Sequence, residues 1–429
     1  MPDSTDFFEH DAWTAGVIGL GYVGLPLAVN AVQRGLHAVG FDTDEGAVAR
    51  LRRGDSPVED VSGEALRAAL ANGLEVTGEE SRLREADALF ICVPSPLTRH
   101  REPDLRFIEA AAATVSRVVR PGMLVALEST TYPGTTEDLL VPAATAGGLR
   151  LDEDVFVCFS SERVDTGRNR ELGAIPKVVG GVSPASSRVA AAAYGRLVDR
   201  VHAVSSARAA EMSKLLENTY RAVNIGLVNE MAQLAHELKI DIWEVIAAAA
   251  TKPFGFQAFY PGPGVGGHCI PIDPNYLAWR AREAGFATRF IDLAEQVNTR
   301  MPAYTADRVT DLLNRRGQPV FGTRILGVGL AFKPGVADDR ESPAIEVLEE
   351  LERRGAEVLV WDPVVGRERI AARGLTPVDG VPEGVALAVV LTDHDAFDYA
   401  ALAAAVPVVF DTRGDYSRRG LAADNVVAL

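Results

Sequence analysis

The sequence predicts an α/β protein in which two doubly wound domains are joined by a long central helix. Short apolar runs alternate with helical segments from residue 13 to about 205, and again from 317 to the end. Between them, ARAAEMSKLLENTYRAVNIGLVNEMAQLAHEL lacks proline and predicts a helix of about 30 residues. We therefore expect a loose tail (1–12), a Rossmann-like domain (13–205), a central helical domain (206–316) and a second Rossmann-like α/β domain (317–429).

The composition is that of an ordinary globular protein. The chain has 429 residues, 47% of them hydrophobic, and a formal net charge of −16. That charge argues against nucleic-acid or anionic-membrane partners, which need basic surfaces. The three cysteines, Cys92, Cys158 and Cys269, lack metal-ligand spacing, so we expect no metal and a reducing compartment. The acidic first residues do not resemble a signal peptide, and no apolar run is long enough to span a bilayer, so we expect a cytoplasmic protein.

The first apolar run leads into a glycine pattern typical of a dinucleotide site. Gly19, Gly21 and Gly24 form GxGxxG, where a predicted strand ends and a helical pattern that includes Val23 runs from Tyr22 to Arg34. Asp42 follows 18 residues after Gly24, at the end of the next strand. Such glycines let a pyrophosphate approach the helix N-terminus, and an acid there accepts ribose hydroxyls and repels a 2′-phosphate. The pattern therefore predicts NAD rather than NADP.

Further apolar runs continue this sheet, which we expect to be parallel. They are 86–94, 123–130, 154–160 and 177–181. In such sheets the functional residues lie at the carboxyl ends of the strands. The residues that follow these runs include Pro94, Ser95, Thr130 and Glu162, and Glu162 is the only acid that we place directly at the end of one of these runs.

The predicted long helix carries a polar stripe. Lys214, Asn218 and Arg221 are spaced by four and three residues, so they share one face. A solvated polar face is the ordinary explanation of such a stripe, and a functional role for Lys214 is the alternative.

A proline- and glycine-rich stretch follows that helix. Residues 260–274 contain four prolines, four glycines and Cys269, with Asp273 four residues after the cysteine. This composition excludes a long helix or strand and predicts a rigid loop. A thiol on such a loop, near a carboxylate, is a nucleophile candidate, although a buried structural cysteine is equally compatible with the stretch alone. In the second sheet the polar residues at strand ends include Lys333, Arg340 and Arg413.

Taken together, these stretches resemble the UDP-glucose/GDP-mannose dehydrogenase family, the NAD-dependent enzymes that oxidise C6 of a nucleotide sugar. The matching runs are GLGYVGLPLA, FDTDE, ICVPSPL, ESTTYPGTTE, SSER, KLLENTYRAVNIGLVNE, YPGPGVGGHCIPIDP and GLAFKPGVADDRESPAIE. The resemblance covers nearly the whole chain and is greatest to the branch that acts on UDP-N-acetylglucosamine, followed by UDP-N-acetylmannosamine. Ser95 replaces a common threonine, and the run SSERVDTGRN (160–169) departs from the usual pattern.

The resemblance implies a role for each candidate residue. Cys269 matches the nucleophile, and the surrounding catalytic positions match Lys214, Asn218, Asp273, Glu162 and Thr130. The dinucleotide positions match Gly19, Gly21, Tyr22, Val23, Gly24, Asp42, Pro94, Ser95, Thr130 and Arg340. The substrate positions match Glu162, Arg163, Lys214, Asn218, Arg221, Tyr260, Gly262, Gly264, Gly266, Lys333 and Arg413.

The resemblance also implies a four-electron reaction. Hydride leaves C6 of a UDP-sugar to give an aldehyde, which Cys269 captures, and a second oxidation then gives a thioester that is hydrolysed to the uronic acid. The long helix suggests a homodimer or a larger homo-oligomer. UDP-N-acetylglucosamine is the favoured substrate, and the same chemistry on UDP-N-acetylmannosamine or UDP-glucose stays open. Two other classes also stay open, a two-electron β-hydroxyacid-type dehydrogenase and a non-catalytic nucleotide-sugar sensor.

Overall fold

The computed structural model describes residues 4–10, 12–58, 60–163 and 175–429. The atypical positions Val164, Asp165 and Thr166 lie outside these ranges. The chain forms two compact units. The first comprises Met1–Glu217 and Asn275–Phe286, and the second comprises Asn218–Pro274 and Ala287–Leu429.

The first unit is built on an eight-stranded sheet with the order β3-β2-β1-β4-β5-β6-β7-β8. The strands are β1 (Thr14–Ile18), β2 (His37–Phe41), β3 (Leu74–Thr77), β4 (Ala88–Ile91), β5 (Leu124–Leu127), β6 (Phe156–Phe159), β7 (Lys177–Gly181) and β8 (Val201–Ala203). The helices are α1 (Ser4–His10), α2 (Gly24–Gln33), α3 (Glu45–Arg52), α4 (Gly63–Ala71), α5 (Arg106–Val118), α6 (Val141–Ala144) and α7 (Pro184–Leu197). Short 3₁₀ segments at Glu80–Glu85 and Ala146–Gly148 and a π-helical turn at Thr136–Leu140 complete the unit before the long helix α8 (Ala207–Leu238).

The central strands are apolar throughout because helices cover both faces of the sheet. Val17 and Phe90 pack into one layer of the core, and Leu89 and Ile91 pack into the layer on the opposite face. Full burial of each such side chain stabilises the fold by roughly 1.5–3 kcal/mol.

One strand runs against the expected direction. β7 pairs antiparallel with β6, through Cys158–Gly181 and Phe159–Gly180, whereas the sequence analysis assumed a parallel sheet throughout. The apolar run of β7 carries no signal of direction, since both orientations bury the same side chains. As a result, the first residue of β7, Lys177, lies at the edge where the parallel strands end.

The N-terminal segment is also not the loose tail that the sequence suggested. Ser4–His10 forms a helix that packs against α7. Phe8 is fully buried, and the indole nitrogen of Trp13 donates to its carbonyl at 3.2 Å. The two neighbouring phenylalanines gave this helix an apolar face that the acidic composition of the segment concealed.

The second unit contains a six-stranded parallel sheet with the order β11-β10-β9-β12-β13-β14. Its strands are β9 (Arg324–Val328), β10 (Glu357–Trp361), β11 (Thr376–Pro377), β12 (Leu387–Val390), β13 (Val409–Asp411) and β14 (Val426–Ala428). The later helices of the chain are α9 (Ile242–Ala250), α10 (Asp273–Glu283), α11 (Arg289–Asn314), α12 (Pro343–Arg353), α13 (Arg367–Ala372), α14 (Tyr399–Ala405) and α15 (Asp415–Arg418). The two doubly wound sheets and the 32-residue helix α8 confirm the predicted fold class.

Candidate active site

The glycine loop after β1 is shaped for close backbone approach. A Cβ on Gly24 would lie 1.8 Å from the carbonyl oxygen of Gly19, so only glycine lets α2 begin this close to the strand. Gly19 has φ +93°, and a Cβ there would lie 2.8 Å from the carbonyl oxygen of Cys92. At Gly21 a Cβ would meet nothing within 4 Å, so that side of the loop is open. An open face beside the start of a helix fits a dinucleotide pyrophosphate.

Asp42 is oriented by the same loop. Its Oδ2 accepts a hydrogen bond from the backbone N–H of Leu20 at 2.9 Å, and its Oδ1 accepts one from Asp44 at 3.0 Å. Each carboxylate oxygen keeps acceptor capacity for a ribose hydroxyl. The residues therefore fit NAD, with the carboxylate fixed before the cofactor binds.

The other predicted cofactor residues of this unit lie around these strand ends. Val23 is the N-cap of α2, and Tyr22 beside it is 42% exposed. Pro94 is exposed and Ser95 is partly buried, just after β4. Thr130 is partly exposed, just after β5.

Asp362 is the acid at the equivalent position of the second sheet, and its carboxylate oxygens contact groups of the protein. It is buried, accepts N–H groups from Leu330 and Val364 at 2.6 and 2.8 Å, and lies 3.1 Å from Nε2 of His394. Burial alone would raise the pKa of Asp362, but these contacts hold it at about 2. The ribose-binding arrangement therefore belongs to the first sheet.

Beyond β5 and β6 the structure reveals a buried charge cluster that the sequence analysis missed. Glu128 follows β5 directly, so Glu162 is not the only acid at a strand end. The Nζ of Lys177 lies 2.7 Å from Oε2 of Glu128 and 3.3 Å from Oε2 of Glu162, and the hydroxyl of Tyr194 donates to Glu128 at 2.5 Å. Burial lowers the pKa of Lys177, but the two carboxylates outweigh burial and raise it above its usual value. The position of Glu128 inside the apolar run MLVALEST could have indicated this cluster, because a buried carboxylate needs polar partners.

Two further predicted residues hold the segment after β6. Lys214 on α8 donates from Nζ to the backbone carbonyl of Glu162 at 2.7 Å. Arg163 pairs with Glu217 at 2.6 Å and donates to the carbonyl of Pro176 at 2.7 Å. Within the first unit, Lys214 therefore lies beside Glu162, and Arg163 has protein partners of its own.

A buried acid on α8, which the sequence analysis also missed, holds the loop after β5. Glu211 accepts hydrogen bonds from the backbone N–H groups of Gly134 and Thr136, at 2.6 and 2.9 Å, and from the Thr136 hydroxyl at 2.7 Å. Burial raises the pKa of Glu211 to about 7 despite these donors. The loop that carries Thr130 is thus anchored to the long helix.

In the second unit, Cys269 lies on an exposed loop that leads into α10. Its carbonyl accepts the N–H groups of Ile272 and Asp273, at 3.1 and 2.8 Å, so the loop turns directly into the helix. Asp273 is 3% exposed, and its Oδ2 accepts a hydrogen bond from Nδ2 of Asn218 at 2.5 Å. The structure thus brings Cys269, Asp273 and Asn218 into one local arrangement.

The glycines before Cys269 are required by close packing. Gly264 has φ +146°, and a Cβ there would lie 2.7 Å from Cβ of Pro343. A Cβ on Gly266 would lie 2.6 Å from the carbonyl oxygen of Glu341. The loop is therefore pressed against the start of α12, and its shape is set by the backbone.

The beginning of the same loop lies beside two arginines. The Tyr260 ring stacks on Trp243 with centroids 6.1 Å apart, and the Arg418 guanidinium lies 5.8 Å from the Tyr260 ring. A Cβ on Gly262 would lie 2.9 Å from Nη1 of Arg413, so this glycine makes room for the arginine.

A buried asparagine that the sequence analysis missed fixes Gly262. The Gly262 N–H donates to Oδ1 of Asn229 at 3.0 Å, and Asn229 donates to Asn298 at 2.9 Å. Asn229 is fully buried in α8, where an amide without partners would be costly. An asparagine on the apolar face of a long helix was the available signal.

The remaining predicted basic residues of this unit are spread over several elements. Arg413 is partly buried and donates to the carbonyl of Leu391 at 2.8 Å. Lys333 is partly buried, and Arg221 is exposed on α8. Arg340 makes a two-point contact with Asp338, at 2.9 and 2.7 Å.

Asp338 also reaches the neighbour of the predicted nucleophile. Its Oδ2 lies 3.1 Å from Nε2 of His268. Burial alone would raise the pKa of Asp338, but the Arg340 and His268 contacts hold it well below its usual range. The Arg340 segment and the cysteine loop are therefore linked through one carboxylate.

Within the described part of the chain, none of the helices combines the length and apolar character that crossing a bilayer requires.

Comparison with known proteins gives three consecutive family matches. The models of the UDP-glucose/GDP-mannose dehydrogenase family match residues 14–198 with the NAD binding domain, 208–300 with the central domain and 326–418 with the UDP binding domain. Together they cover more than half of the chain.

Individual relatives agree with this assignment. The chain is 36% identical to UDP-N-acetyl-D-glucosamine 6-dehydrogenase of Pseudomonas aeruginosa, over 87% of this chain and 89% of that protein. The structure of a UDP-D-ManNAc dehydrogenase from Pyrococcus horikoshii has a TM-score of 0.84 at 33% identity and covers 93% of this chain and 95% of its own. A UDP-glucose dehydrogenase from Pyrobaculum islandicum gives a TM-score of 0.83 at 30% identity, with 94% and 95% covered.

The dinucleotide loop, the cysteine loop and these matches lead to one conclusion: the chain belongs to the UDP-glucose/GDP-mannose dehydrogenase family and is an NAD-dependent nucleotide-sugar oxidoreductase.

Proposed function

We propose that this protein oxidises the C6 hydroxyl of a UDP-N-acetylhexosamine to the uronic acid, with UDP-N-acetylglucosamine as the favoured substrate. The observation that carries the proposal is the exposed Cys269 on a packed glycine loop, beside the buried pair of Asp273 and Asn218. A simple alcohol dehydrogenase needs no such thiol, whereas oxidation to an acid benefits from a covalent anchor for the aldehyde.

The nucleotide part of the substrate is assigned to the second unit. Arg413 and Lys333 supply positive charge for the diphosphate, and the loop from Tyr260 to Gly266 supplies backbone N–H groups. The stacked pair of Tyr260 and Trp243 supports this assignment, because it presents a flat, fixed surface beside Arg418. Arg221, exposed on α8, is a further candidate contact with the diphosphate.

NAD⁺, when bound at the first sheet, supplies the hydride acceptor for both oxidation steps. Gly19, Gly21 and Gly24 would hold its pyrophosphate, and Asp42 would hold a ribose. By the family resemblance, Arg340 is a further candidate contact with the cofactor.

The thiol chemistry is assigned to Cys269. The first oxidation removes a proton and a hydride from C6–OH and leaves an aldehyde. The Cys269 sulfur adds to the aldehyde carbon, and the second oxidation converts this thiohemiacetal into a thioester. Water then attacks the carbonyl carbon, which releases the carboxylate and restores the thiol. In total, one substrate, one water and two NAD⁺ yield one uronate, two NADH and three protons.

The polar groups are assigned by what they can donate or accept. Glu162 is the general base for water attack, because its carboxylate is held at a strand end by Lys177. Lys214 and Asn218 are donors that stabilise oxyanions, while Asp273 positions a water and Thr130 positions the substrate.

A second candidate substrate is UDP-N-acetylmannosamine. The similarity to the UDP-D-ManNAc dehydrogenase structure from Pyrococcus horikoshii favours it, since that structure matches 93% of this chain. The two sugars differ only in the configuration at C2, so both fit the same chemistry.

NADH release tests the function. Purified protein is incubated with NAD⁺ and, separately, with UDP-N-acetylglucosamine, UDP-N-acetylmannosamine, UDP-glucose and GDP-mannose. We expect two NADH per sugar, with the highest kcat/KM for UDP-N-acetylglucosamine. One NADH per substrate indicates a two-electron dehydrogenase, and binding without NADH indicates a sensor. Either result overturns the proposal.

We also propose that the protein forms a homodimer through α8. Leu227, Leu234 and Leu238 are each about half exposed, and their spacing places them on one face of the helix. Such a row is costly to leave in water, and a second copy would cover it. Sedimentation of the purified protein tests this, with the Leu234→Glu variant expected to be monomeric.

All three cysteines are thiols rather than disulfides. This supports the proposal of a cytoplasmic location, where thiols stay reduced.

A further inference from the structure

We propose that Lys177 is a positioning residue that fixes the Glu162 carboxylate for its part in the reaction, with Glu128 as the anchor of the lysine. The inference rests on the proposed function for the role of Glu162, and it assigns a task to two residues, Lys177 and Glu128, that family resemblance did not single out.

The topology brings the three residues to one place. Glu128 follows β5 and Glu162 follows β6, so both stand at the carboxyl edge of the parallel strands. Lys177 opens β7, which is antiparallel to β6. The amino end of an antiparallel strand lies at the same edge as the carboxyl ends of its parallel neighbours. A parallel β7 would have put Lys177 at the opposite edge.

The three side chains of the cluster differ in their contacts and in their exposure to solvent. The ammonium of Lys177 is 2.7 Å from Glu128 and 3.3 Å from Glu162, and its side chain is 6% exposed. The Glu128 side chain is fully enclosed, whereas the Glu162 side chain is 20% exposed. Glu128 therefore has only protein partners, and Glu162 is the carboxylate that water and ligands can reach.

Three of the contacts within the described part of the chain hold Glu162. Its Oε2 faces Lys177, and its Oε1 accepts the N–H of Arg163 at 2.6 Å. Lys214 binds its backbone carbonyl at 2.7 Å. Lys214 thus fixes the backbone, while Lys177 sets the direction of the carboxylate.

The charges favour the same role. Among the described contacts, Lys177 supplies the ammonium that both carboxylates face, and Glu162 is the more exposed of the two carboxylates. Removing the ammonium would leave the two carboxylates without the positive charge that both of them face, and this favours protonation of one of them. Among the described residues, the other titratable or charged side chains close to the cluster are Cys92 after β4, Cys158 in β6, Arg163 after β6, Tyr194 in α7, and Lys214 and Glu217 in α8.

A simpler role for Lys177 is neutralisation of the buried Glu128, with no effect on Glu162. A pair of variants separates the two roles. Lys177→Met removes the ammonium and keeps the length of the side chain. Lys177→Met/Glu128→Gln removes one positive and one negative charge, so the net charge of the cluster equals that of the native protein.

The first measurement compares kcat, KM and thermal stability of these variants with those of the native protein, with Lys252→Met as an exposed-lysine control. We expect the double variant to recover most of the thermal midpoint lost in Lys177→Met. We expect its kcat to stay at least tenfold below the native value, with KM for the nucleotide sugar within about twofold. Recovery of native kcat by the double variant would show that the lysine only neutralises Glu128, and it would overturn the proposal.

The second measurement does not require turnover. Protein labelled with ¹³C-glutamate is titrated by NMR, and the Glu162 carboxyl signal is assigned by its loss in Glu162→Gln. We expect Lys177→Met to move the midpoint of this titration to higher pH by about one unit. An unchanged midpoint would also overturn the proposal. If the native protein releases no NADH with any sugar, the proposed function fails, while this titration still decides whether Lys177 controls Glu162.

Discussion

The amide nitrogen of Asn218 donates to Oδ2 of Asp273 at 2.5 Å, and this bond joins the long helix α8 to the start of α10. Asp273 is almost completely buried, so its carboxylate needs donors to remain in place. The N–H of Asp273 in turn binds the carbonyl of Cys269. The side chain of Asn218 thus acts on the turn that presents the thiol.

Replacing Asn218 by alanine tests this connection. We expect kcat to fall at least tenfold, because Asp273 loses a donor and the turn at Cys269 loses its support, while the affinity for UDP changes less than about twofold. Asn224→Ala is the matched control, since the Asn224 amide binds only a carbonyl of its own helix at 2.7 Å among the contacts described. Steady-state kinetics and UDP titration calorimetry measure both variants. Equal kcat values for the two would contradict the role given to Asn218.

The glycine loop makes a separate prediction about stability and binding. Gly264→Ala places a Cβ against Pro343 and requires a backbone angle that alanine rarely adopts. We expect a loss of about 1–3 kcal/mol in the free energy of unfolding and weaker binding of UDP. Gly255→Ala is the control, because Gly255 also has a positive φ, +69°, but open space around it. Denaturant titration compares the two variants. A smaller loss for Gly264→Ala than for Gly255→Ala would show that the loop is not tightly packed.

Cofactor choice is assigned to Asp42. In Asp42→Ala we expect the KM for NAD⁺ to rise at least tenfold, because the ribose loses an acceptor, and the preference against NADP⁺ to weaken, because the repulsive charge is gone. Initial rates with each cofactor measure both effects. Asp362→Ala is not a suitable control, because Asp362 supports several N–H groups of its own sheet. Asp379→Ala is the control instead, because the Asp379 side chain is exposed. An unchanged KM for NAD⁺ in Asp42→Ala would show that Asp42 does not contact the cofactor.

Glu211 makes the stability of the protein depend on pH. Its pKa is raised in the folded state from 4.5 to about 7 by burial, so the folded protein binds the proton more tightly than the unfolded chain does. The stabilisation is therefore complete below pH 4.5 and is lost as the pH rises to about 7, by about 3 kcal/mol in total.

We expect Glu211→Gln to lower stability overall, because one acceptor oxygen is lost, and to flatten this part of the pH dependence. Thermal midpoints of native and variant protein between pH 5 and pH 8 measure the difference. If the difference between the two midpoints does not change with pH, Glu211 does not titrate in this range.

The sequence predicted those features that depend on local pattern. The GxGxxG loop, Asp42 and helix α8 follow from spacing and periodicity alone, and the structure has them where the pattern indicated. The glycine-rich loop before Cys269 was predicted from its composition. The structure explains that composition, because a side chain at Gly264 or Gly266 would clash with neighbouring atoms.

The sequence could not predict contacts that depend on strand direction and long-range pairing. Lys177 and Glu128 are 49 residues apart and meet only because β7 is antiparallel. Glu211 lies 75 residues from Thr136 along the chain, so no local pattern links an acid of α8 to that loop. The helix Ser4–His10 was missed because its burial depends on α7, almost two hundred residues later.

The central claim is that the sulfur of Cys269 carries the substrate between the two oxidations. The most direct test is mass spectrometry of the Glu162→Gln variant, acid-quenched after mixing with NAD⁺ and UDP-N-acetylglucosamine, since slow hydrolysis should let the thioester accumulate. We predict an adduct of the oxidised nucleotide sugar on the peptide that contains Cys269, with a burst of two NADH per active site. Cys158→Ala, which alters a buried thiol, should leave native turnover in place. Absence of the adduct, together with normal uronate production by Cys269→Ser, would contradict the account.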